Sequence, residues 1–487
     1  MAYEKRNEEL HVLMVAFSAQ GHINPLLRLG KSLLSKGLHV SLATTETVYN
    51  RVFKPSTSTG DTAVPTSATI KAIQVFFFSD GFLTDLDRKN SDMDKYMQTI
   101  EKFGPINLSN LIKDHFLSGR RKLACIINNP FVPWVADVAA EHGVPCACLW
   151  IQPCALYAIY YRFYNKLNQF PTLTEPDLSV QLPGLPLLQT HDLPSFVLPS
   201  NPLGSIPKLL TDFFQNMKKL KWVLANSFYE LEKEVIDSMA ELCPIRTVGP
   251  LVPPSLLGED QNQDVGIEMW KPQESCMEWL SHQSPGSVIY ISFGSLVVLS
   301  AKQMESIAKA LKNSKCPFLW VIKRPEKAAT ERTGEPPLGF LEETKDQGLV
   351  VPWCPQTKVL ANPAVACFLS HCGWNSMLEA ITAGTPMIAY PQWSDQPTNA
   401  KLIAHVFGMG IRLNQDTDGH VPTEEVERAI QEILSGPSSA EIKKNAAALK
   451  CASREVVAHG GSSDHNIQLF VDEVLGNRGC SRQFGLV

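Results

Sequence analysis

The chain has 487 residues, of which 44 are basic and 49 acidic, for a formal net charge of −5. That balance provides no basic field to gather nucleic acid or an anionic membrane. A chain 44% apolar and 19% charged is no disordered segment, and its length suits two α/β domains of about 150 to 250 residues each.

Residues 11–19 are an apolar run that predicts a buried strand. Asn24 and Pro25 supply an N-cap and first-turn signal, and Leu26, Leu27, Leu29, Leu33 and Leu34 share one helical face before Gly37 ends the helix. A second strand over 38–43 completes a β-α-β unit, which makes the sheet parallel. Strands over 73–78, 125–127, 146–150 and 222–225, with a helix over 134–141, extend it into one doubly wound domain, residues 1–250. Residues 251–271 are rich in proline, glycine and polar side chains and read as an interdomain linker. The alternation restarts with strands over 287–293, 318–322, 365–370 and 386–390. Helices over 302–313, 375–383, 398–406 and 423–434 accompany them, giving a second α/β domain, residues 272–463. A final helix over 464–475 follows the turn His459-Gly460-Gly461-Ser462-Ser463, within a terminal segment 464–487. Two such domains facing each other leave a ligand cleft at the C-terminal strand ends.

Twelve scattered cysteines lack the density of a disulfide scaffold and read as reduced thiols. The start MAYEKRNEEL lacks the basic and apolar regions of a signal peptide, and no run reaches the roughly 18 apolar residues of a membrane span. The expectation is a cytoplasmic protein without a membrane span or nucleic-acid partner.

The stretch from Trp353 to Gln396 carries the chemistry. A strand ends in His371-Cys372-Gly373-Trp374-Asn375-Ser376 and a helix starts there, so unpaired amides, a glycine and small polar side chains converge on a positive helix end. That is a phosphate site. Glu379 lies one turn further on nearly the same face, where its carboxylate can accept from a ribose diol. Trp353 follows a strand end and can stack on a base, Asp395 and Gln396 offer a carboxylate and an amide to sugar hydroxyls, and Ser292-Phe293-Gly294-Ser295 adds donors for a diphosphate. The whole reads as a nucleotide-sugar site. In the other half, His22 in Gln20-Gly21-His22-Ile23-Asn24-Pro25 can serve as a neutral base at the cleft edge.

The segment WCPQ, HCGWNS, Glu379 and Asp395-Gln396 resembles the signature box of plant family-1 UDP-dependent glycosyltransferases. QGHINP, the SFGS turn, FLWVI and GGSS extend the similarity over nearly the whole chain. The resemblance implies the GT-B fold, two Rossmann-like domains facing across a cleft, with the last helix crossing back to the first domain and no metal or cofactor. It implies that Trp353 stacks on uracil and that Gln356 and Glu379 bind ribose. His371, Gly373, Asn375, Ser376 and Ser295 then belong to the diphosphate site, while Trp374, Asp395 and Gln396 contact the sugar. Glutamine at the last position goes with UDP-glucose, and His22 is the general base of a single inverting displacement.

The family usually orients that histidine with an aspartate, but the matching position holds Asn129. An amide orients a ring without supplying the charge that raises its basicity, so hard-to-ionise hydroxyls should be poorer acceptors. A carboxylic acid, with a pKa of roughly 4, needs little base. NNPFVPW, DLPSFVLPS and SFYELE resemble the subgroup that makes glucose esters of phenolic, benzoic or indole acids. The expected partners are therefore UDP-glucose and a small aromatic acceptor, acting on a monomer. O- or C-glucosylation of polyphenols is the alternative, and a nucleotide-sugar binder without turnover is the alternative from another class. A nicotinamide dehydrogenase is excluded because no G-x-G-x-x-G follows the first strand.

Asp85-Leu86-Asp87 and Asp92-Met93-Asp94 match the D-x-D of metal-dependent transferases, yet their charged, loop-like context predicts solvated carboxylates. Cys354, Cys367, His371 and Cys372 lack the paired spacing of a zinc site. Phe17, Phe131, Trp150, Tyr157 and Tyr160 are divided between acceptor pocket and core, with core favoured, and Ile151 stands where flavonoid-glucosylating relatives have a sugar-contacting threonine.

Overall fold

The apolar run after Glu9 forms β1 (Glu9–Val15), which pairs in parallel with β2 (His39–Thr45). The computed structural model describes residues 9–54, 64–82, 84–117, 121–201, 204–323 and 333–476. β3 (Ser67–Ile70), β4 (Ile73–Phe78), β5 (Arg121–Asn128), β6 (Cys146–Trp150), β7 (Leu220–Ala225) and β8 (Arg246–Thr247) complete a sheet in the order β3-β4-β2-β1-β5-β6-β7-β8. Only β3 runs antiparallel. The second sheet, wholly parallel, contains β9 (Val288–Ser292), β10 (Phe318–Val321), β11 (Gly348–Val351), β12 (Val365–Ser370), β13 (Met387–Ala389) and β14 (Gly410–Arg412). Its order is β11-β10-β9-β12-β13-β14. The central strands are buried along nearly their whole length, as sheets covered by helices on both faces require.

The first helix departs from its predicted start. It runs Gln20–Ser35, so Asn24 and Pro25 lie inside it. Asn24 does not cap: its Oδ1 accepts from Ile267 N–H at 2.8 Å and its Nδ2 donates to Ile267 O at 3.1 Å. One turn on either side, Gln20 Oε1 accepts from Met269 N–H at 3.0 Å and Arg28 pairs with Asp264 at 3.3 Å. The proline-rich connection between the sheets is thus pinned along one face of this helix. Pro25 has no N–H to give the Gly21 carbonyl four residues back, which leaves that carbonyl free for another donor.

The charged stretch around Asp85 is helical rather than looped. Asp85–Asn90 is one short helix, and Asp92 caps a second, Met93–Ile112, by accepting from Lys95 N–H at 2.7 Å. The helix expected over 398–406 is split into Gln396–Lys401 and a wider turn, Leu402–Val406. The long helix Ser439–Glu455 carries no strong apolar period and was not visible in the pattern.

Besides the proline-rich connection, two sets of contacts outside the cleft tie the lobes. The last helix, Ser462–Leu475, buries Ile467, Phe470 and Val471 against the first lobe, with Phe470 edge-on to Trp222 at 5.2 Å. Lys36 pairs with Asp464 at 2.6 Å, and Asn466 donates to Thr247 O at 2.9 Å. In the second tie, Asp192, 1% exposed, meets Arg412 at 2.6 Å and Lys401 at 3.3 Å. Next to it, Ser195 and Ser394 exchange hydrogen bonds of 2.9 Å.

Phe470 is completely buried in this interface. Phe470→Ala should lower the unfolding free energy by about 3–5 kcal/mol, the usual cost of an aromatic cavity, read as a shift in the urea midpoint.

Candidate active site

His22 rides in the first turn of the helix that follows β1, not in the loop before it. Its Nδ1 lies 2.9 Å from Asn129 Oδ1, beyond the end of β5. The same oxygen accepts from Phe131 N–H at 3.1 Å. An atom taking that N–H is an acceptor, so Nδ1 carries the ring proton and Nε2 keeps the lone pair. Burial holds the His22 imidazolium down to a pKa of about 4, against the opposing effect of the Asn129 bond. The ring is therefore neutral at pH 7. Asn129 is fully buried, and its Nδ2 has no partner among the described residues.

The neighbours of His22 are aromatic. Phe131 stands edge-on at 4.7 Å and Phe17 is tilted at 5.2 Å. Tyr96 meets Phe17 at 5.8 Å and stacks on Phe82 at 5.8 Å. Phe17 and Phe131 are only partly buried, whereas Trp150, Tyr157 and Tyr160 are wholly core. The five aromatics singled out from the sequence divide accordingly.

Across the cleft, β12 ends at Ser370 and the helix Trp374–Ala383 begins after Gly373. Trp374, Asn375 and Ser376 occupy its first turn, where backbone N–H groups lack intrahelical partners. His371 is wedged between two glycines: a Cβ on Gly294 would fall 2.8 Å from its Cε1, and one on Gly373 2.6 Å from its Nε2. Burial also holds His371 down to about 4, opposed by a bond to the Ser292 backbone, and its Nδ1 has no partner among the described residues. Ser295 lies in the turn after β9, where its carbonyl accepts from Lys323 Nζ at 3.2 Å.

The expected ribose groups form a bonded set. Gln356 Nε2 donates to Glu379 Oε2 at 2.7 Å and to Ser376 Oγ at 3.1 Å, while Gln356 Oε1 accepts from Tyr290 O–H at 3.0 Å. Burial pushes the Glu379 carboxyl up, and the Gln356 bond opposes it. Trp353 follows β11 with its ring 4.9 Å from Trp270, inclined at 43°. Its indole bonds to Glu268, which also accepts from Gln20 at 3.2 Å.

At the expected sugar end, burial pushes Asp395 up to about 6, although Asn399 donates to its Oδ2 at 2.7 Å and Gln152 also bonds it. Gln396 Oε1 accepts from the N–H groups of Gln392 at 2.9 Å and Trp393 at 3.2 Å. Its carbonyl is therefore committed to its own turn, and the amide N–H groups are what it offers a ligand. Trp374 is 3% exposed and donates its indole N–H to Asn226 O at 2.7 Å, so that donor is already engaged.

The halves meet at Asn375, whose Nδ2 donates to the Gly21 carbonyl at 2.8 Å, one residue before His22. Tyr290, Gln152 and Asn399 were missed from the sequence. Gly294 was read from the SFGS turn. Tyr290 gave no signal, because a tyrosine in an apolar strand reads as core.

Residues 204–453 match the family model described as UDP-glucoronosyl and UDP-glucosyl transferase. The chain is 44% identical over 478 residues to UDP-glycosyltransferase 84B1 of Arabidopsis thaliana, covering 96% of this chain and 98% of that one. It is 43% identical over 467 residues to gallate 1-beta-glucosyltransferase 84A24 of Punica granatum, covering 96% and 89%. Among solved structures it is similar to Os79 from O. sativa in complex with UDP, with a TM-score of 0.82 and 32% identity over 95% of this chain and 100% of that one. Two doubly wound sheets in this relation are the GT-B fold.

The glycine clamp on His371 yields a direct test. Gly373→Ala should force the ring aside and weaken UDP binding at least tenfold by titration calorimetry, with little change in melting temperature. An unchanged dissociation constant would remove His371 from the diphosphate site.

Proposed function

Because the chain belongs to the UDP-glucoronosyl and UDP-glucosyl transferase family and is a glycosyltransferase, we propose that it transfers glucose from UDP-glucose, with inversion, to a small aromatic carboxylic acid. The product is a 1-O-β-glucose ester. The observation that carries the acceptor class is Asn129 in bonding contact with His22. The base is oriented by an amide, without a carboxylate to stabilise its charged form. The relative named as a gallate 1-beta-glucosyltransferase supports the ester reading.

In this reading the donor diphosphate sits at the start of the helix Trp374–Ala383, beside His371, Asn375, Ser376 and Ser295, with Gly373 giving it room. Gln356 and Glu379 take the ribose, and Trp353 takes uracil. Trp374, Asp395 and the amide of Gln396 face the glucose. The acceptor oxygen attacks the anomeric carbon as its bond to the β-phosphate oxygen breaks, and that oxygen leaves with the electron pair. Helix amides and neutral donors are already aimed where this charge develops. A carboxylate nucleophile brings no proton, whereas a phenol must pass one to Nε2 of His22. The eleven cysteines among the described residues are unpaired, which suits the cytoplasmic location that completes this reading, together with a monomeric state and a transfer without metal. No helix among the described residues is long and apolar enough to cross a membrane.

Mild alkali distinguishes the products, cleaving a glucose ester while leaving most phenolic glucosides and every carbon-linked sugar. Alkali-labile product should dominate across an acceptor panel. Recovery of resistant product alone would replace this reading with O- or C-glucosylation of phenols.

His22→Ala should reduce phenol transfer by roughly 10²–10⁴-fold, the usual worth of a general base, and ester formation much less, with UDP-glucose binding retained. Equal losses on both acceptors would contradict the division of labour.

The pH profile carries a sign. His22 is depressed to about 4, so its base form persists through neutral pH and is lost only as pH falls towards that value. Asn129→Asp places a negative charge beside Nδ1, raises that pKa and should move the acid limb of kcat/KM for phenols to higher pH. The phenol-to-acid ratio should rise with it, and an unmoved limb and ratio would show that the amide has no electrostatic consequence.

A further inference from the structure

At the end of β1 remote from His22, three metal-binding side chains meet that the transfer reaction does not use. Glu9 and His11 alternate along β1 and so share a face. His39, the first residue of β2, is the register partner of His11. The two imidazoles stack at 4.9 Å with their planes 20° apart. His11 is 7% exposed, yet among the described residues neither ring nitrogen has a hydrogen-bond partner. Its Nε2 faces Glu9 Oε2 at 3.8 Å, too far for a hydrogen bond. Buried polar nitrogens normally have partners, so this pair calls for an explanation. One donor atom from each of the three residues lies within 4.8 Å of the others.

We propose that Glu9, His11 and His39 bind a divalent transition-metal ion such as Zn²⁺ or Cu²⁺ through two imidazole nitrogens and one carboxylate, with a fourth position open to solvent. Imidazole ligands select this class over Mg²⁺ and Ca²⁺, which prefer oxygen. Ligand bonds of roughly 2.0–2.2 Å require the donors to draw together. Glu9 and His39 are exposed and free to turn, while His11 is held by its strand and by Phe116, edge-on at 6.0 Å. Arg121 is the register partner of Glu9 on β5 and is the nearby opposing charge, but its guanidinium donates to Gln74 Oε1 at 3.2 Å. The bound ion would staple two central strands of the first sheet. It takes no part in sugar transfer, whose groups lie beyond the other end of β1.

The experiment uses the full-length, tag-free protein after chelator treatment, titrated calorimetrically with ZnCl₂ alone. One equivalent should bind and raise the melting temperature. His39→Gln should weaken Zn²⁺ binding at least tenfold and Glu9→Gln several-fold. Both exposed substitutions should leave UDP affinity and transfer rate unchanged, which verifies the fold. With CuCl₂, electron paramagnetic resonance should show coupling to two nitrogens in the parent and one in His39→Gln. The proposal is overturned if the parent takes up no stoichiometric Zn²⁺. It is equally overturned if His39→Gln binds as tightly as the parent, which would place the ion elsewhere, for example at the exposed Cys451.

Discussion

The hydrogen bond from Asn375 to the Gly21 carbonyl is the contact on which the arrangement of the cleft depends. A carbonyl within a helix normally accepts from the N–H four residues on, and here that residue is Pro25, which has none. The covalent chemistry of one proline thus exposes an acceptor in the turn that carries His22. The opposite lobe fills it with a side chain from the first turn of its own site helix. Gly21 permits the approach, since a Cβ there would lie 3.0 Å from Asn375 Nδ2. Two strand-to-helix junctions from separate sheets are therefore held face to face.

Around that contact the titratable groups are set by burial more than by charge pairing. His22 and His371 are both held near a pKa of 4, and Asp395 is raised to about 6. Each shift favours the neutral form of its group. The two imidazoles are therefore neutral at pH 7, and they and the helix amides present dipoles oriented before any reaction. Asn129 belongs to this pattern: it settles the tautomer of His22 through a neutral acceptor and contributes no charge.

The ties outside the cleft serve the same geometry. Gln20, Asn24 and Arg28 hold the connection between the sheets along the helix that bears His22, and the same connection delivers Glu268 and Trp270 to Trp353. Asp192 and Ser195 clamp the first lobe to the loop and helix carrying Asp395 and Gln396. The last helix closes the far side through Phe470 and Asn466. A displacement of one lobe would strain several of these contacts together.

The sequence alone determined the two α/β units, most central strands and the candidates for a nucleotide-sugar site. Those signals are local: apolar runs of strand length, and polar side chains at fixed spacing around a strand end. Asn129 was also legible, because an absent carboxylate is a matter of composition. Tertiary structure decided the rest. Asn24 looked like a cap because its competing partner, Ile267, lies 243 residues away. Asp92, exposed as expected, looked like part of a loop because the helix it caps carries a weak apolar stripe. The indole N–H of Trp374 looked open until Asn226 took it. A hydrogen bond between groups distant along the chain leaves no period or spacing in the sequence, so only the folded chain could show which polar side chains are spent on each other.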